Sequence, residues 1–86
     1  MKDWDYRVIK KYDAKLGDES HQIHEVYYRE DGTIDAWTES PVQPYGDTPE
    51  ELREDIRFFL QAFHHPVLKL QSVDGRQNLI EDADVL

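Results

Sequence analysis

Cysteine is absent from the 86 residues of this chain, so no disulfide framework, thiolate nucleophile or cysteine-held zinc or iron–sulfur site can be built from it. Long apolar runs are missing as well. No stretch approaches the roughly 18 residues a membrane span needs, and the start, Met1-Lys2-Asp3-Trp4-Asp5-Tyr6, has no apolar run of signal-peptide length. No membrane is expected, and a cytoplasmic location is the default. Basic charge is scarce: Lys and Arg number 10 against 19 Asp and Glu, a net charge of -9. Direct nucleic-acid binding is therefore not expected, because neutralising phosphates takes clustered Lys and Arg. Gly17, Gly32, Gly46 and Gly75 each fall at a turn. That leaves no Gly-rich phosphate loop, and neither a nucleophile elbow nor a zincin helix motif is present.

What is present supports one small core. The chain is 38% hydrophobic and carries two Trp, five Tyr and three Phe, too much apolar material for a wholly disordered chain. A chain of this size buries only about 60 to 65% of the surface it exposes when unfolded, so one domain is the ceiling. The acidity has two readings: it keeps the protein soluble, or it suits a basic partner.

Trp4, Tyr6, Val8 and Tyr12 alternate with Asp5, Arg7, Lys11 and Asp13, the pattern of a half-buried strand. Residues 13 to 21 are polar, contain Gly17 and show no period, so they are expected to form a mobile loop. Residues 22 to 29 and 33 to 39, rich in Ile, Val, Tyr, Trp and Thr, flank Glu30-Asp31-Gly32 and read as a β-hairpin with Gly32 at positive φ. With a three-residue loop, Tyr28 pairs with Ile34 and Val26 with Ala36. His24, Val26, Tyr28, Ile34 and Ala36 then share the face that should meet a helix. Ile23, Glu25, Tyr27, Asp35 and Trp37 occupy the other face, where Tyr27 and Trp37 either pack on each other or offer a partner an aromatic surface. A two-residue loop would exchange the faces.

Ser40 to Gly46 contains Pro41 and Pro44 and reads as an extended connection. Thr48 then suits an N-cap, Pro49 the first helical position, and Glu51 the closing position of a capping box. Leu52, Ile56, Phe59, Leu60 and Phe63 form the stripe of an amphipathic helix that Pro66 ends. Residues 67 to 73 alternate as a candidate fourth strand on an edge. The expected fold is α+β: a three-stranded antiparallel sheet in the order β-β-β-α-β, one amphipathic helix on one face, and that fourth edge strand. Residues 1-73 make the single domain; 74-86 are expected to be a loosely held acidic tail.

Four histidines invite a metal reading, but His21 and His24 lie on opposite sides of a strand. His64 and His65 are adjacent on a helix, and neither pair has a known ligand spacing. The carboxylate pairs Glu50 with Glu54 and Glu51 with Asp55 share a helix face, yet lack an environment that would separate their pKa values. They are largely explained by the positive end of the helix dipole. Neither a catalytic residue, a metal ligand nor a cofactor is expected, and the chain is not read as an enzyme.

Gly46-Asp47-Thr48-Pro49-Glu50-Glu51-Leu52, opening a helix after three strands, resembles the N-terminal domain of HicB-type antitoxins over about thirty residues. That resemblance implies neutralisation of a small basic RNase toxin. It does not extend to operator binding, since no room is left for the DNA-binding segment such antitoxins add. A wider pattern also resembles a group of short uncharacterised bacterial proteins over about residues 4 to 68, and implies no activity. It comprises Trp4-x-Tyr6-Arg7-Val8-Ile9, Ile23-His24-Glu25-Val26-Tyr27-Tyr28, Asp31-Gly32, Ala36-Trp37-Thr38-Glu39-x-Pro41-Val42 and then the helix to Pro66-Val67-Leu68.

The expected function is that of a small non-catalytic protein-binding module, antitoxin-like or regulatory. Its partner surface would be formed by Tyr27 and Trp37 on the sheet and by Glu50, Glu51, Glu54 and Asp55 at the helix start. The expected partner is a protein, a basic one suiting the acidity of the chain, and a homodimer is left open. The alternative is an acidic nucleic-acid mimic that inhibits a nucleic-acid-binding or defence protein, which requires carboxylates spaced like phosphates and a salt-sensitive complex.

Overall fold

A computed structural model describes residues 3–82. The elements are β1 (Trp4–Asp13), β2 (Asp18–Tyr28), β3 (Ile34–Trp37), α1 (Pro49–Leu60) with a short 3-10 continuation at Gln61–His64, β4 (Leu68–Val73) and β5 (Arg76–Glu81). One five-stranded sheet runs in the order β3-β2-β1-β4-β5. All neighbours are antiparallel except β1 and β4, which are parallel. The fold is α+β, with a mixed five-stranded sheet in place of the three-stranded antiparallel one expected.

The expected loop at 13 to 21 is in fact a tight turn followed by strand. Asp13 nucleates the turn: its Oδ1 accepts from the amides of Lys15 (2.9 Å) and Leu16 (3.2 Å). Its carbonyl accepts from Gly17 at 2.8 Å, with Gly17 at φ 70°. From Asp18 the chain returns directly along β1, pairing Glu19 with Tyr12, Ser20 with Lys11 and His21 with Lys10. Residues 18 to 21 are exposed, so this end of the β1–β2 ribbon has no dry side to impose an apolar alternation. The ladder hydrogen bonds hold it instead.

At the second hairpin Tyr28 pairs with Ile34 as expected, but the register shifts at the next step: Tyr27 faces Ala36 and Val26 faces Trp37. Asp35 is the extra residue of a β-bulge. The bulge moves Trp37 to the side of Val26 and Tyr28.

The helix lies on the face opposite to the one expected for it. Tyr6, paired with Glu25, stacks on Phe59 of α1 with ring centroids 4.4 Å apart. The helix side of the sheet therefore carries Trp4, Tyr6, Val8, Ile23, Glu25 and Tyr27. His24, Val26, Tyr28, Ile34 and Trp37 line the other side, where buried Ile9, Val26, Leu68 and Leu79 form the core, with Tyr28, Ile34 and Trp37 packed against it. Ile34 and Leu79 come from opposite edges of the sheet. Their meeting in one cluster shows that the sheet curls round its own core, as strongly twisted sheets do. Helix cover on that side is unnecessary.

β4 is an interior strand, because β5 pairs along its whole length from Leu68–Glu81 to Val73–Arg76. The stretch expected to be a loose tail from residue 74 thus begins with a two-residue turn, Asp74 and Gly75 at φ 52° and 78°, and a strand. Leu79 supplies the reason: it is buried in the core. Residues 83 to 86 of that tail lie outside the described residues.

Candidate functional site

The helix start is capped by Thr48 as expected, but the return bond of Glu51 goes one residue before the cap, to Asp47. Thr48 Oγ1 accepts from the Glu51 amide at 3.1 Å, and the Glu51 carboxylate accepts from the Asp47 amide at 2.9 Å. Asp55 holds the preceding connection by accepting from the Tyr45 amide at 2.7 Å, and Glu54 pairs with Arg57 at 3.2 Å. Glu50 is exposed in the first turn. Glu51 and Asp55, offered by the sequence as partner residues, are thus engaged in holding the chain. Gly46 is needed where the connection crosses α1, since a Cβ there would lie 2.7 Å from the Glu51 carbonyl carbon and closer still to the Leu52 amide.

Tyr27 and Trp37 do not share a surface. Tyr27 sits on the helix side, and its hydroxyl donates to Glu25 Oε1 at 2.7 Å, which raises its pKa. Trp37 packs against the core on the other side. The bulge at Asp35, invisible to an alternation count, separates them.

A different apolar surface is open on the helix. Only Phe59 is buried in α1, and Ala62 in the turn after it. These two residues and half-buried Asp55 form the inward line. Leu52, Ile56, Leu60 and Phe63 occupy one shoulder beside that line and are 38%, 42%, 55% and 67% exposed. Phe58 is exposed on the other shoulder, where with Trp4, Tyr6 and Gln61 it borders a hollow of about 280 Å³. Under the helix, burial and the nearby carboxylates of Asp55 and Glu25 raise the pKa of Tyr6.

The concave side of the sheet encloses a larger cavity, about 520 Å³, between the β2–β3 hairpin and β5. Arg7 lines it and is only 8% exposed. Its Nη1 donates to the Tyr28 hydroxyl at 2.9 Å and its Nη2 to the Pro66 carbonyl at 3.0 Å, while Nε is buried without a partner. Trp37, Ile34 and Leu79 supply apolar wall, and Arg29, Asp35 and Glu81 complete the charged lining. The alternation of β1 assigned Arg7 to the wet face. The contrary signal was Ile9, two residues on and therefore on the same face.

His24, opposite Arg7 on β2, is 1% exposed. Its Nδ1 lies 2.9 Å from the Thr38 carbonyl, which can only accept, so Nδ1 carries the proton and Nε2, buried without a partner, is the bare nitrogen. Burial lowers the His24 pKa, and the Thr38 hydrogen bond opposes this only in part. His21, His64 and His65 are exposed. Among the described residues no group of three or more His, Asp or Glu is arranged to hold a metal ion, and no helix is long and apolar enough to cross a membrane. No known family model matches this chain, and no curated protein or solved structure matches it either.

Proposed function

We propose that the protein is a small non-catalytic binding module that docks on another protein through the open shoulder of α1. The observation that carries this reading is the run Leu52, Ile56, Leu60, Phe63: four large apolar side chains at helical spacing that the fold leaves 38% to 67% exposed. Such a stripe is the form in which a helix enters an apolar groove. Arg53 and Arg57 border the stripe at helical spacing and Glu50 and Glu54 lie further round the helix, so a preference for a basic partner comes from the net charge of -9 and not from the rim of the stripe. An antitoxin-like or regulatory role against a basic protein falls within this reading.

The test is capture of partners from the native cell by the wild-type chain and by an Ile56→Glu, Leu60→Glu double variant, both exposed positions whose replacement leaves the core intact. A specific basic partner retained by the first and lost by the second is expected. An unchanged set of partners would rule the shoulder out. Sedimentation of the purified chain distinguishes a second copy as the occupant, since a dimer would dissociate in the double variant. The nucleic-acid-mimic alternative predicts binding through charge alone, which survives the double variant and is abolished by salt.

A further inference from the structure

On the other side of the sheet, independent of the helix shoulder, we propose that the concave cavity binds a small monocarboxylate with an apolar or aromatic body, its carboxylate held by Arg7. Arg7 keeps its charge at any physiological pH, yet is 8% exposed and meets only neutral acceptors, the Tyr28 hydroxyl and the Pro66 carbonyl. No carboxylate among the described residues pairs with it. Burying a charge without a counter-charge is costly, and an anion entering the cavity from outside supplies the missing partner.

The lining selects the kind of anion. Its other cation, Arg29, is already committed to Asp35 at 3.3 Å, and Glu81 adds a further negative charge at the wall. The lining is neutral as a whole, two arginines against two carboxylates, and Arg7 is its one cation without a paired carboxylate, which suits a single carboxylate and disfavours a phosphate dianion. Nη1 and Nη2 each carry two N–H groups and each donates one to the protein. Two donors are left for the two oxygens of a carboxylate, the pairing for which guanidinium geometry is suited. Trp37, Ile34 and Leu79 offer an apolar body its contact surface, and about 520 Å³ is the volume of an ordinary small-ligand site.

The experiment titrates the full chain with phenylacetate at about 0.15 M ionic strength, following the Arg7 Nε–H and Trp37 indole resonances by NMR. Phenylacetamide, with the same body and no charge, and inorganic phosphate are the comparisons. Phenylacetate is expected to move both resonances, the amide to bind at least tenfold more weakly and phosphate to leave them unmoved. Arg7→Gln should abolish binding. Should that variant fail to fold, Gln77→Glu decides: Gln77 is exposed and lines the cavity, and a negative charge there should weaken phenylacetate severalfold. Equal binding of acid and amide, competition by phosphate, an unaffected Gln77→Glu variant, or a dissociation constant for phenylacetate weaker than about 10 mM overturns the proposal. None of these results bears on the helix shoulder, so the two readings fail separately.

Discussion

The ammonium of Lys10 lies 2.9 Å from Oδ2 of Asp82, whose side chain has no exposed surface. The two residues belong to strands that are not neighbours: Lys10 is on β1 and Asp82 follows β5, with β4 between them. Lys69 of β4, directly beside Lys10, approaches the other carboxylate oxygen at 3.8 Å. One buried carboxylate thus ties three strands together, and the Asp82 amide adds a bond to the Val67 carbonyl at 2.8 Å.

Replacing Asp82 with Asn keeps the shape and removes the charge, leaving two lysines side by side around a neutral group. A loss of about 3 kcal/mol in unfolding free energy is expected, the usual consequence of breaking a buried pair from one side. Urea denaturation measures it, and a change below about 0.5 kcal/mol, the size of an ordinary surface substitution, would mean that the clamp adds little.

Gly46→Ala should destabilise by about 1 to 3 kcal/mol, because the new methyl group would meet the backbone of Glu51 and Leu52 rather than a side chain that can turn aside. Thermal unfolding reads the effect. A melting temperature equal to that of the parent chain would show that the connection can shift away from α1.

For the helix cap, Thr48→Ala is expected to cost about 1 kcal/mol and Thr48→Ser very little. The hydroxyl that accepts from Glu51 is lost in the first and kept in the second. Equal stabilities for the two variants would remove the cap from the account.

Acid should weaken the fold through His24. Its pKa is lowered in the folded state by burial, so the unfolded chain binds the proton more readily. The stability His24 contributes is complete above its unfolded pKa of about 6.5 and is lost as pH falls through that value towards the lower folded one. The slope approaches about 1.4 kcal/mol per pH unit at most. Urea titrations between about pH 7.5 and about pH 5.5 should show the decline, and His24→Gln should flatten it. A parent chain with equal stability at both ends of that range contradicts the assignment.

Local chemistry was legible in the sequence wherever one residue type answers one backbone demand. Thr48, Pro49 and Glu51 marked the helix start correctly, and Glu30-Asp31-Gly32 marked a hairpin whose Gly32 does take φ 86°. The first strand's alternation grouped Trp4, Tyr6 and Val8 on one side, which is the side that meets the helix, although Tyr12, grouped with them, is exposed. What alternation cannot carry is the register between separate strands. Nothing in His24-Glu25-Val26 says whether it is Glu25 or His24 that shares a side with Tyr6, and the helix was assigned to the wrong face for that reason. The bulge at Asp35 leaves no apolar mark, and so alternation alone puts Trp37 on the same face as Tyr27. Both sides of the ribbon are wet at Asp18 to His21, so strand there had no period to display. Arg7 was hidden by its own polarity: an arginine among Asp5 and Lys11 reads as solvent-facing, and only the curl of the sheet brings the β3 and β5 edges round to enclose it.

That curl also sets an order of opening. The sheet closes on Ile9, Val26, Leu68 and Leu79 without help from α1, while the helix is anchored by Phe59, Ala62 and the loop bond to Asp55. Amide protons of α1 should therefore exchange with solvent through a partial unfolding that leaves β1, β2 and β4 protected. The surface proposed to meet a partner is thus carried on the segment that costs least to release, and a bound partner would slow exchange in the helix far more than in the sheet beneath it.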